Sequence, residues 1–92
     1  MKELEFRNEI QILLEKTELF ELDEYRKTSR LLEEFINLVN KYPEGTDPMV
    51  FDTIAEIRIK LSQARSSKKK DDLLADALYK LQSELKLILR GN

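Results

Sequence analysis

Apolar side chains recur along this chain at spacings of three and four, the signature of helices with a buried face. Phe6, Ile10, Leu13 and Phe20 share one face, with Thr17 among them, and predict a first helix from about Lys2 to Lys16 or beyond. The phase is lost between Thr17 and Leu22, where Thr17 and Asp23 are both residue types that cap helix starts. A second helix, from about Asp23 to Lys41, carries two stripes. Tyr25, Leu32, Ile36 and Val39, interrupted by Ser29, make one; Leu31, Phe35, Leu38 and Tyr42 make the other. Together they form an apolar arc wider than packing on a single neighbour requires. Such a helix is either the centre of a bundle or the docking face for another chain.

Tyr42-Pro43-Glu44-Gly45-Thr46-Asp47-Pro48 punctuates the middle of the sequence. Pro43 ends the second helix, Gly45 is expected to supply a positive φ, and Asp47 before Pro48 reads as a cap followed by a first helical residue. The third helix is predicted from Pro48 to about Arg65, on a single stripe of Val50, Ile54, Ile57, Leu61 and Ala64. Eight polar residues follow, Arg65 to Asp72, and predict a loop. A continuous helix with a phase defect is the alternative. Leu74, Leu78, Leu81, Leu85 and Ile88 then mark a fourth helix, with Asp71 and Asp72 at its positive end and Gly91 as its C-cap.

Four amphipathic segments with short connections predict an all-α fold, a small antiparallel four-helix bundle in one domain spanning residues 1–92. The alternative is a long helical hairpin, bent at Pro43–Pro48, that must dimerise to cover its stripes. With 41% hydrophobic residues the chain can build a core, whereas 37% charged residues alone would suggest disorder. Ile59, Tyr79 and Leu87 lie off the core stripes, and Ile12 and Leu19 at their margins. Single exposed apolar residues are ordinary, but adjacency of Ile59 and Leu87 to the Phe35 stripe would make a binding patch.

The net charge of −2 conceals two poles. Residues 1–23 hold three basic and seven acidic side chains, a net of −4; residues 48–70 hold six and two, a net of +4. Arg58, Arg65, Lys68, Lys69 and Lys70 are therefore the candidate patch for an anion or an acidic partner. Nucleic acid is the weaker expectation for this patch, since no recognition motif or interleaved aromatics accompany it.

Histidine and cysteine are absent, which removes the commonest general base, the usual nucleophile pairings and the main ligands for zinc, haem and iron–sulfur clusters. The two glycines form no phosphate loop. No cofactor, no metal and no enzymatic activity are expected. The longest apolar runs are three residues, as at Ile12-Leu13-Leu14, and the charged start at Met1-Lys2-Glu3 is unlike a signal peptide, so a cytoplasmic protein is expected.

The central Pro43-Glu44-Gly45 turn differs from that of the secreted helical hairpins with a Trp-x-Gly turn, because the chain has no tryptophan and Ser83 stands where their acidic residue after Tyr79 belongs. In size, acidity and the Gly45-Thr46-Asp47-Pro48 segment, the chain is similar to small bacteriocin-immunity bundles, a likeness of architecture without a specific motif. The functional expectation is a non-enzymatic helical protein-interaction module that binds another protein or itself. Leu31, Phe35, Leu38 and Tyr42 form its interface if the other stripe makes the core. The alternatives are a bacteriocin-immunity-like or antitoxin-like bundle, and a nucleic-acid-associated regulator using residues 58–70.

Overall fold

The periodic segments become four helices in a computed structural model that describes residues 2–90: α1 (Lys2–Thr17), α2 (Glu24–Lys41), α3 (Val50–Ala64) and α4 (Lys70–Leu89), with a 3₁₀ turn at Pro43–Gly45. They form a small antiparallel helical bundle with no strand among the described residues. Each helix contributes most of its predicted stripe, except that Phe20 lies outside the core and Leu78 and Ile88 are half-buried. Phe6, Ile10 and Leu13 come from α1, Ile54, Ile57 and Leu61 from α3, and Leu74, Leu81 and Leu85 from α4, all buried in one core. The hairpin alternative does not apply, because α1 packs on both α2 and α4 and closes the bundle.

The caps follow from residue chemistry. Asp23 sits in extended backbone, and its carboxylate accepts the Arg26 N–H at 2.9 Å, which starts α2. Asp47 accepts the Met49 N–H at 2.9 Å, and the first bonds after Pro48 run three residues back, from Val50 N–H to the Asp47 carbonyl and from Phe51 N–H to the Pro48 carbonyl. Asp47-Pro48 thus begins the turn as expected, and regular α-geometry follows two residues later. Residues 65–69 form the α3–α4 loop, ruling out a continuous helix, and α4 carries Asp71 and Asp72 in its first turn. The expected Gly91 cap lies outside the described residues.

Gly45 is needed for a different reason from the one expected. Its backbone is not left-handed; instead, a Cβ there would lie 3.1 and 3.3 Å from ring carbons of Phe6. Phe6 in turn packs on Tyr42, with ring centroids 5.2 Å apart. The glycine provides room for an aromatic pair that seals this end of the bundle.

α1 is staggered towards the C-terminal part of α4. Arg7 donates to the carbonyls of Ile88, at 3.4 Å, and Leu89, so that its cation sits at the negative end of α4. At the other end of α1, the Thr17 hydroxyl donates to the Leu14 carbonyl and accepts from the Gln82 amide at 3.1 Å. Lys16 pairs with Glu34 of α2 at 3.0 Å. α1 therefore stops beside the middle of α2, about ten residues, or ~15 Å of helix rise, from the α2 start. Residues 18–23 span that distance as an irregular strap, beginning in a turn whose Glu18 and Leu19 N–H groups donate to the Glu15 and Lys16 carbonyls, alongside the first half of α2.

Candidate functional site

Placement of the two α2 stripes removes the sequence-based interface. Leu31 and Phe35 are 0% exposed, Tyr42 is buried, and Leu38 is half-buried against the core. The other stripe is buried as well, with Leu32 and Val39 inside and Tyr25 and Ile36 half-covered. An interface at Leu31, Phe35, Leu38 and Tyr42 required the core to use only one stripe. It uses both, because α2 is wedged between α1 and the α3–α4 pair. The Tyr42 phenol is held above its ordinary pKa by burial and the nearby Glu9 carboxylate, as expected for a neutral group at the core margin. Ile59 and Leu87 are exposed as the periodicity implies, but the Phe35 stripe is not there for them to extend.

The strap is the surface that the periodicity misassigns. Phe20, expected on the core face of α1, is 81% exposed, with Leu19 at 62% and Leu22 at 94%. Helical phase does not extend to these residues because α1 ends at Thr17. Between them Glu21 points the other way and is half-buried. Its two carboxylate oxygens accept from the Arg30 guanidinium at 2.6 and 3.1 Å. The hydrogen bonds from Arg30, helped by the positive charges of Lys27 and Arg26, hold the Glu21 carboxyl below its usual pKa, so it stays ionised and paired. The carboxylate is thus tied along α2 in an ion pair that itself remains open to solvent, while the large apolar side chains beside it face water.

The strap's own sequence is acidic, although Arg26, Lys27 and Arg30 of α2 lie alongside it and pair with Glu21 and Glu24. Residues 18–24 read Glu-Leu-Phe-Glu-Leu-Asp-Glu, four carboxylates and no cation. This alternation was the signal available in the sequence, at the very place where the helical pattern breaks.

The predicted basic patch divides into two parts. Arg58 lies 3.8 Å from Glu33 across the α2–α3 seam, with both side chains well exposed, a pair of little energetic weight. Arg65, Lys68, Lys69 and Lys70 enter no ion pair among the described residues. Arg58 and Arg65 edge a cleft of about 230 Å³ between α2 and α3, floored by Tyr25, Leu32 and Leu61. Alternation of helix direction puts the strap and the α3–α4 loop at the same end of the bundle, and Tyr25 and Arg65 meet there. At the opposite end a wider cleft of about 780 Å³ is lined by Lys2, Arg7 and Lys41 against Glu3, Glu44 and Asp47, a balance that favours neither sign of ligand.

Among the described residues, no group of three carboxylates is placed to hold a metal ion, and no helix is long and apolar enough to cross a membrane. No family model, curated protein or solved structure matches the chain.

Proposed function

We propose that the protein is a non-enzymatic interaction module whose docking element is the 18–23 strap. One observation carries this reading: Leu19, Phe20 and Leu22 face solvent while the intervening Glu21 is tied to Arg30 of α2, which holds the segment against the bundle. A bundle that buries both stripes of α2 does not need these side chains for its own core. Covering each one fully would yield ~1.5–3 kcal/mol before the costs of association. The acidic flanks favour a partner with an apolar pocket and a cationic rim. An inhibitor of the immunity or antitoxin kind would engage its target by the same chemistry.

A photo-crosslinking phenylalanine analogue at position 20, with a control at exposed Tyr79 on α4, tests this in cells of the native host. The expected result is a discrete adduct from position 20 alone, competed by unlabelled protein and lost in Leu22→Ser. No discrete adduct, or the same adduct from both positions, would refute the reading.

The four unpaired cations at 65–70 favour a second reading, a nucleic-acid-associated regulator. That reading predicts retention of duplex or single-stranded nucleic acid at low salt, falling steeply as salt rises and abolished by neutralising Lys68, Lys69 and Lys70. Absence of any retention at low salt excludes it.

A further inference from the structure

We infer that the strap's partner is a second copy of this chain, its acidic apolar segment docking on the basic end of its twin; the inference rests on the strap being a docking element. The required receptor chemistry is already present on the molecule. A partner for Glu18, Leu19, Phe20 and Leu22 needs a cationic surface next to an apolar recess. Arg65, Lys68, Lys69 and Lys70 supply unpaired cations, and the α2–α3 cleft beside Arg65 supplies a mixed recess, with half-buried Tyr25 over the buried Leu32 and Leu61 and with Ser29, Glu33 and Ser62 on its walls. Within one chain the two do not meet: strap residue Glu21 pairs with Arg30 of α2 and no described residue pairs with the 65–70 cations. Both patches nevertheless lie at one end of the bundle. Complementary patches at one end of the molecule suit a two-fold contact, in which each copy offers its strap to the other's basic surface. Opposite charges face each other twice, while the small net charge of −2 opposes association weakly.

Sedimentation velocity over a hundredfold range of concentration tests the inference on the full chain. Wild type is expected to pass from monomer to dimer, with added salt weakening the dimer. Phe20→Ser alters an exposed side chain and leaves the core intact; Arg65→Glu with Lys69→Glu reverses the receptor. Each variant is expected to raise the dissociation constant ~10-fold or more. Mixing the two restores a heterodimer, because one strap and one basic surface remain compatible, and circular dichroism confirms that both variants are folded. A wild type monomeric throughout, or a dimer indifferent to both variants, overturns the inference. The position-20 adduct separates the two ideas. An adduct of twice the monomer mass supports self-docking; an adduct with a different protein from a monomeric chain overturns it and leaves the docking strap standing. No adduct at all removes both.

Discussion

Replacing Phe35 with alanine tests the central correction to the sequence-based interface. Phe35 is among the largest side chains with no exposed surface, and it lies in the same core as Leu31, Leu81 and Leu85. Removing a buried phenylalanine costs ~3–5 kcal/mol, from lost transfer energy and the cavity left behind. A domain of this length has a total stability of roughly 5–14 kcal/mol. The substitution should therefore take away about a fifth of it or more and lower the urea midpoint by roughly 1 M or more. Phe20→Ala is the matched control: the same atoms are removed from a side chain that is 81% exposed, and stability should change by no more than ~0.5 kcal/mol. Urea unfolding followed by far-UV circular dichroism measures both. Equal effects, or a Phe35→Ala loss below ~1 kcal/mol, would show that the second stripe of α2 is not core and would return it to the candidate surfaces.

Other substitutions probe local arguments. Asp23→Ala removes the acceptor of the Arg26 N–H and should cost ~1 kcal/mol in chemical denaturation, with Asp23→Asn retaining most of it. Gly45→Ala gains ~0.4–1 kcal/mol by stiffening the unfolded chain, but the clash with the sealed Phe6 ring costs ~1–3 kcal/mol, so a net loss is expected that shrinks when Phe6 is also changed to Leu. Glu84 on α4 is held above its ordinary pKa by partial burial, with the Asp47 charge adding to the effect. The folded state therefore binds its proton more readily than the unfolded state, and this contribution to stability is lost as pH rises through the folded pKa. Glu84→Gln should accordingly raise the melting temperature at pH 7, with the gain disappearing in acid below the ordinary glutamate range.

Residue pattern carried the bundle further than the site. Val50, Ile54, Ile57, Leu61 and Ala64 show one clean period, and all five are buried. Asp23, Pro43 and Asp47-Pro48 mark their ends through local backbone chemistry that tertiary contacts do not override. The α2 arc was legible as a choice between centre and interface, and only packing from both sides resolves it. Phe20 was misplaced because periodicity extends a helix until something stops it, and no proline or glycine stands near Thr17. The stop comes from tertiary geometry: α1 ends beside mid-α2, and the chain must return along α2 to its start. Gly45 was recognised as special, but its close neighbour Phe6 is remote in sequence, so the reason for the glycine could not be read locally.

The Arg7 bond to the end of α4 has a kinetic consequence. It joins residues 82 positions apart, so the α1–α4 seam closes a loop of nearly the whole chain, whereas α3 and α4 meet across a five-residue turn tied by Lys60–Asp76 and Lys80–Glu56. Loop-closure entropy favours early formation of the near contacts. The α3–α4 hairpin is thus the natural folding nucleus and α1 the last helix to dock. Pulse-labelling hydrogen exchange should find Ile57, Leu61 and Leu81 amides protected before those of Ile10 and Leu13, and mutations in α1 should chiefly accelerate unfolding rather than slow folding.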